Sequence, residues 1–230
     1  MLIYGKNVAE EELKKNKNIK KAYIYKDFTD RNLLSSIQNS NIPVKYMTKQ
    51  ELDRLAIGNH QGIILDVPDF SYNTLDDLSY ENELIVILDH LEDPHNFGAI
   101  IRTAEAAGVD AIIIPKNRGV SVNSTVYKVS AGALNNIKII MVTNLVNTMT
   151  ELKDKGFWFV GTDLEGESYE TIDYKGNIGI IIGNEGKGMS QLVKKNADFI
   201  ATIPMKGKIN SLNASVATGI IVFEAAKQRN

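Results

Sequence analysis

The chain has 230 residues, with 26 Lys/Arg against 28 Asp/Glu and no cysteine. The near balance of charge excludes a polycation or polyanion, and the missing cysteines exclude disulfides, thiol nucleophiles and thiolate metal sites, as expected for a cytoplasmic protein. No apolar run approaches the roughly 18 residues of a membrane span, and the opening MLIYGKNVAEEELKK is too polar for a signal peptide.

In chain order, the first third alternates helix and strand signals. Asn7 with Glu10 and Thr48 with Glu51 have capping-box spacing, and Thr29 is placed to cap a helix running through Gln38. Strands are expected at 22–25, 44–47 and 62–67, so residues 1–67 make a small α/β module. This module carries 11 Lys/Arg against 8 Asp/Glu, whereas the rest of the chain carries 15 against 20. Much of the positive excess is Lys14, Lys15, Lys17, Lys20 and Lys21, a run that, taken alone, is more often a solvated face than a binding site. Residues 68–82, PDFSYNTLDDLSYEN, lose the periodicity and are expected to be a linker.

From residue 83 the alternation resumes with more apolar strands, at 84–88, 111–114, 137–142, 157–161, 178–182 and 199–203. Helices fit at 98–107, around 124–134, and at 145–155, 189–195 and 211–228. Near-continuous Ile/Val runs imply strands covered on both faces, the mark of a mostly parallel sheet flanked by helices. Ligands in such sheets bind beyond the carboxyl ends of the strands.

Three of those ends carry unusual loops. In DHLEDPHNFGAIIRTAEAAG, Asn96 is expected to cap a helix beginning near Gly98, which puts Arg102 in its second turn, against the macrodipole. That placement suggests use, although an ordinary pair with Glu105 explains it too. Asp89, His90, Glu92, Asp93 and His95 crowd together here, but their spacing matches no metal-ligand pattern, and no metal is expected. In IGNEGKGM the glycines permit close backbone approach to a ligand; a P-loop would require Ser or Thr after Gly186-Lys187, and the Rossmann order is reversed. In IPMKGKINSLNASVATGI a strand meets a helix that is apolar on every side, with Leu212, Val216, Gly219, Ile220 and Phe223 on one stripe and Ala214, Ala217, Ile221 and Ala225 opposite. Such a helix is expected to be buried or to face a second subunit, and Ser211 at its start is either a plain N-cap or a working polar group.

NFGAIIRTA at 96–104, IIGNEGKGM at 181–189 and IPMKGKINSLNASVATGI at 203–220 together resemble, in order and spacing, the three motifs of the SpoU (TrmH) family of RNA ribose methyltransferases. The first module, ending in NHQGIIL, looks like the ribosomal-protein-like substrate domain of the large-subunit ribosomal RNA guanosine-2′-O-methyltransferases, the RlmB-type branch. The resemblance implies a trefoil knot (SPOUT) in an α/β catalytic domain spanning 83–230, S-adenosylmethionine as methyl donor, ribosomal RNA as partner and a homodimer. It implies that Arg102 engages the ribose 2′-hydroxyl and Asn96 positions it, with Glu185, Ser211 and Asn213 as the remaining polar positions. Gly183, Ile203 and Leu212 would hold the cofactor, joined by Thr162, Asn184 and Met205. In this context the lysine run gains weight as an RNA contact, and His60 and Gln61 join it, though turn residues explain that pair equally. Transfer RNA is the rival substrate. A catalytically idle RNA-binding or assembly factor is the rival class, and a nucleotide-dependent oxidoreductase lacks its phosphate fingerprint.

Overall fold

The computed structural model describes residues 1–15, 18–56, 58–208 and 211–229, with the side chain of Lys15 also outside the description. In chain order the first elements are β1 (Leu2–Tyr4), α1 (Lys6–Lys15), β2 (Lys21–Tyr25), α2 (Arg31–Asn39), β3 (Val44–Met47), α3 (Lys49–Leu55) and β4 (Ile63–Asp66). They are followed by β5 (Leu84–Leu88), α4 (Pro94–Ala106), β6 (Ala111–Pro115), α5 (Ser124–Val129), β7 (Lys138–Val142) and α6 (Leu145–Asp154). The last are β8 (Trp158–Ser168), β9 (Ile178–Ile182), α7 (Gln191–Asn196), β10 (Phe199–Thr202) and α8 (Ala214–Arg229). Contacts divide the chain into two compact units, 1–71 with 122–132, and 72–121 with 133–230.

In the first unit four strands form a mixed sheet in the order β1-β4-β2-β3, with β2 parallel to β3 and antiparallel to β4. Alternation along the strands sends Ile3, Ile24, Ile63 and Leu65 to one face, where Leu33 and Ile37 of α2 cover them, and Tyr4, Met47 and Ile64 to the other, under Leu52 of α3. The segment 122–132 adds α5, whose Tyr127 packs against the first of these clusters. Two caps differ from expectation. Asp30, not Thr29, caps α2 by accepting from Leu33 N, because the β-region backbone needed at the cap falls one residue later. Asn7 lies inside α1, whose first amide, Lys6 N, donates to Gln61 Oε1 at 2.8 Å. The Thr48/Glu51 capping box forms as the spacing indicates.

In the second unit six strands, all parallel, run in the order β10-β8-β9-β5-β6-β7. β5 and β9 lie at the centre and are buried along their whole length. Each enclosed Ile or Leu stabilises by about 1.5–3 kcal/mol. Ile85, Ile87, Ile113 and Ile181 pack with Leu145, Met149, Leu152 and Val193 of α6 and α7. Residues one position out of phase face the opposite side, where α8 packs against α4 and lies over β9. Residues 72–82 are folded into this unit: Asn73 N donates to Ile139 O, and Tyr80 packs edge-on to Phe157. Strand order runs outward from β5 to β7 and then reverses to β8 and β9 on the other side. The β5/β9 boundary is therefore the switch point, the place where open α/β sheets bind ligands.

Candidate functional site

Three loops leave the carboxyl ends of β5, β9 and β10, and side chains tie them together. Asp89, 1% exposed at the end of β5, accepts from Ser190 N at 2.5 Å and faces His90 Nδ1 at 2.5 Å. Asn184 Nδ2 donates to His90 O at 2.8 Å, while its Oδ1 accepts from Gly186 N and Lys187 N, so one amide folds the glycine turn and pins it to the β5 loop. At Gly183 the chain passes so close to itself that a Cβ would sit 2.3 Å from the carbonyl carbon of Gly188 and 2.4 Å from Met189 N. Only glycine fits there. Motif spacing does not single out Asp89 or Ser190; for Asp89 the available signal is a carboxylate directly following a fully apolar strand.

α4 begins at Pro94 and is capped by Asp93, which accepts from His95 N; Asn96 is not the cap. Proline at the first helical position loses no intrahelical hydrogen bond, which moves the start four residues earlier than the motif suggested. Arg102 then falls in the third turn, beyond the reach of the terminal dipole, so the electrostatic cost inferred for it does not apply. Nor does Arg102 pair with Glu105, whose carboxylate accepts from Asn136 Nδ2 at 2.9 Å. Among the described residues Arg102 is exposed and makes no hydrogen bond or ion pair.

Freed from capping, the Asn96 amide joins the three motifs. Its Nδ2 donates to Glu185 Oε1 at 3.0 Å and its Oδ1 accepts from Asn213 Nδ2 at 3.0 Å. The carboxylate fixes the amide's orientation, since it can only accept. Asn213 Oδ1 in turn accepts from Ser215 N at 2.9 Å and from Ser215 Oγ at 2.6 Å, and the Asn213 carbonyl takes Ala217 N. Asn213 rather than Ser211 therefore caps α8. Ser211 and Leu212 precede the helix and are exposed, and Ser211 makes no hydrogen bond among the described residues. Glu185, Asn96 and Asn213 thus form one network, with a second hydrogen on Asn96 Nδ2 left for a ligand.

Around it lie the residues assigned to a cofactor. Thr162 Oγ1 donates to Ile181 O at 2.9 Å, which ties β8 to the end of β9. Ile203 is half-buried, while Met205 and Leu212 are each 38% exposed, apolar side chains left uncovered at either end of the third loop. α8 is not enclosed as its composition suggested. Ala214, Thr218, Ile221, Val222 and Ala225 are buried, but Val216 and Phe223 are 50% and 51% exposed.

The other assigned residues lie in the first unit. His60 is buried, accepts from Gly62 N through Nδ1 and is therefore the Nε2–H tautomer that donates to Asp53 at 2.9 Å. Gln61 is held by its bond from Lys6 N. Lys14 is exposed near Glu11, Lys20 is exposed, and Lys21 lies over the Tyr23 ring; Lys17 and the Lys15 side chain fall outside the described residues, as do Ile209 and Asn210 in the third loop. Among the described residues no three His, Asp or Glu side chains come together as a metal-binding group, and no helix is long and apolar enough to cross a membrane.

A parallel sheet whose strand order reverses, with three polar loops converging over a glycine-only backbone crossing at the reversal, defines an α/β fold built to hold a ligand at its carboxyl edge. Residues 83–223 match the SpoU rRNA Methylase family, and residues 2–73 match the family described as RNA 2′-O ribose methyltransferase substrate binding. The chain belongs to the SpoU rRNA methylase family. A protein of Staphylococcus saprophyticus described as a TrmH family tRNA/rRNA methyltransferase is 52% identical over 143 residues, 62% of this chain and 57% of that protein. YacO of Bacillus subtilis, of the same description, is 48% identical over 143 residues with the same coverage of both chains. The match thus spans little more than half the length of these relatives. The AdoMet-bound rRNA methyltransferase of Sinorhizobium meliloti superposes with a TM-score of 0.83 at 27% identity, over 98% of this chain and 86% of that one.

Proposed function

We propose that the chain is a cytoplasmic RNA 2′-O-ribose methyltransferase that uses S-adenosylmethionine and acts on a guanosine of large-subunit ribosomal RNA. The observation that carries this reading is the hydrogen-bonded line Glu185–Asn96–Asn213, which joins the three motif loops at the sheet's switch point. The residues present fit the cofactor. A turn whose Gly186 and Gly188 are exposed lets a ligand approach the backbone closely, and Met205 and Leu212 offer uncovered apolar surface, the two kinds of contact an adenosyl group takes. When bound, S-adenosylmethionine supplies an electrophilic methyl group. Gly183 and Asn184 hold the turn that would seat it, Thr162 fixes the neighbouring strand end, and Ile203, Met205 and Leu212 border the adenosyl side. A trefoil knot in this unit, inferred from the family resemblance, belongs to the same reading.

For the chain's own groups the main task is alignment, for which effective molarities of about 10⁵–10⁸ M are available. Asn96, oriented by Glu185 and Asn213, positions the ribose. Arg102, exposed and unpartnered, is free to meet the 2′-hydroxyl; a guanidinium does not readily accept a proton, so its role is to orient the hydroxyl and stabilise a developing alkoxide. Ser211, also without a partner among the described residues, completes the polar rim. The lysine run, His60 and Gln61 are assigned to RNA, with His60 acting through the loop it holds. Leu212 just before α8, with Val216 and Phe223 on it, supports a homodimer, because these apolar side chains are left uncovered.

The test is methyl transfer from labelled S-adenosylmethionine to ribosomal RNA and, separately, to transfer RNA, each lacking the modification, with the product mapped by resistance of one phosphodiester to alkali. Resistance at one ribosomal guanosine is expected. Label confined to transfer RNA overturns the substrate, and failure to bind the cofactor overturns the enzyme. R102A is expected to lose at least 100-fold in kcat with the melting temperature kept, and R102K to recover little; full activity in R102K refutes the role given to the guanidinium fork. Sedimentation at the monomer mass at micromolar concentration refutes the dimer.

A further inference from the structure

The first unit contains a cavity of ≈ 490 Å³ between the end of β2, the first turns of α1 and α3, and the loop 58–62. Its volume falls in the about 300–1,000 Å³ range of ligand pockets. The loop that walls it is built rather than loose. His60, 6% exposed, holds the backbone of Gly62 with one ring nitrogen and Asp53 with the other, both at 2.9 Å. Gln61 adopts φ 52, the left-handed region that a side chain enters only when its surroundings compel it, and its Oε1 is fastened to Lys6 N at 2.8 Å. Gly62, at φ +83, could carry no side chain, since a Cβ would meet the Phe28 ring at 2.9 Å.

The lining combines three chemistries. Phe28 and Tyr25 present half-buried rings, and Lys6 Nζ stands 5.1 Å from the Phe28 centroid. Lys6 is also committed to Asp30 at 3.2 Å, whereas Lys49, at the start of α3, is exposed and makes no hydrogen bond or ion pair among the described residues. Asp27, exposed beside Tyr25, provides an acceptor, and its carboxylate raises the pKa of the Tyr25 hydroxyl. Rings for a flat apolar face, a free ammonium for an anion and a carboxylate for ring N–H groups are the set that an unpaired nucleotide satisfies. A duplex, with its bases stacked inside, cannot offer a face to the rings.

We infer that this cavity receives one unpaired nucleotide of the RNA substrate, its base against Phe28 and Tyr25 and its phosphate toward Lys49, so that the first unit reads a loop or bulge rather than a helix. The inference rests on the RNA methyltransferase reading above. It goes beyond that reading in assigning recognition of one nucleotide to a built pocket, beside the contacts of the lysine run.

The experiment uses the full chain and two probes, an RNA hairpin with 4-thiouridine in its single-stranded loop and a blunt duplex of the same length. Photo-cross-linking followed by peptide mapping is expected to place the hairpin on residues 25–28 or 59–61, with the duplex giving no adduct there. K49E, a surface change, is expected to raise KM for ribosomal RNA about 10-fold with kcat and S-adenosylmethionine affinity unchanged, and to reduce the slope of log binding constant against log salt by about 0.7, one single-strand phosphate contact. F28L, which keeps an apolar side chain over the core but removes the ring, is expected to weaken hairpin binding at least 5-fold. Unchanged KM and salt slope in K49E, with adducts confined to other segments, overturn the pocket while wild-type methylation leaves the RNA reading standing. Absence of both methyl transfer and RNA binding in the wild type overturns the RNA reading and the pocket with it.

Discussion

Replacing Asn96 with Asp keeps the shape of the side chain and reverses one contact. The Nδ2 that donates to Glu185 at 3.0 Å becomes an oxygen, so a carboxylate faces a carboxylate. Two unit charges at that separation repel by about 1.4 kcal/mol in water and by about 5–6 kcal/mol at an effective dielectric of 20. Glu185 is exposed, so the water end of that range applies. The hydrogen bond itself, discounted for exposure, is worth about 1 kcal/mol. The sum, about 2–3 kcal/mol, predicts that N96D lowers kcat/KM at neutral pH by roughly 30–150-fold, if the network aligns the ribose as proposed. As the pH falls the facing pair in the variant takes up one proton and regains a donor between its oxygens, so activity recovers on the acid side, relative to wild type. The assay is kcat/KM against pH for both proteins, with melting temperature and cofactor affinity measured alongside. N96D within twofold of wild type at neutral pH, or a deficit that stays constant with pH, refutes the reasoning.

Three other changes probe the frame. G183A drives a methyl group into the backbone of Gly188 and Met189, where no rotamer change gives relief; a loss of at least about 1–3 kcal/mol is expected, read as a melting temperature lower by several degrees together with weakened cofactor binding. The Arg229 guanidinium donates to Tyr174 O at 2.8 Å, Gly176 O at 2.7 Å and Asn82 O, which fastens the end of α8 to the loops entering β9 and β5. R229A is expected to cost about 1–3 kcal/mol, seen as a lower urea midpoint at unchanged slope. The Asp30 carboxyl is held below its ordinary value by the Leu33 backbone N–H and by the Lys6 ammonium, so the ionised form favours the folded state. Its contribution is present above the ordinary carboxylate range and is lost as the pH falls through the folded value. In D30N, which keeps a capping oxygen, the drop in urea midpoint between pH 7 and pH 3 is expected to be smaller than in wild type.

The strands of the second unit were legible because β5, β6 and β9 are buried on both faces and therefore nearly continuous in Ile, Val and Leu. The loops after β5 and β9 were legible because each follows such a strand, and the third, after the partly exposed β10, because its run of small and polar residues leads into an apolar helix. Helix starts were less so. Asn96, Thr29 and Ser211 all have capping chemistry, yet Asp93, Asp30 and Asn213 do the capping, since the choice among neighbouring polar residues depends on which backbone turns at the cap. β1 escaped notice because three residues are too short for a periodic signal, and β8 runs to Ser168 because β10 pairs with it beyond the apolar stretch. The grouping of 122–132 with the first 71 residues follows from contacts distant in sequence.

The sequence by itself determined the class of fold, the family resemblance and the identity of the polar residues at the strand ends, since those rest on local composition and on order along the chain. Only the tertiary structure decided what those residues do to one another. It released Asn96 from capping to bridge Glu185 and Asn213, separated Arg102 from Glu105, left one face of α8 uncovered, and made Gly183 the point where two backbones pass. The physical reason is range: periodicity and capping act over a few residues, whereas the bonds that assemble the site span 89 and 117 positions and exist only after the parallel sheet has set β5 and β9 side by side.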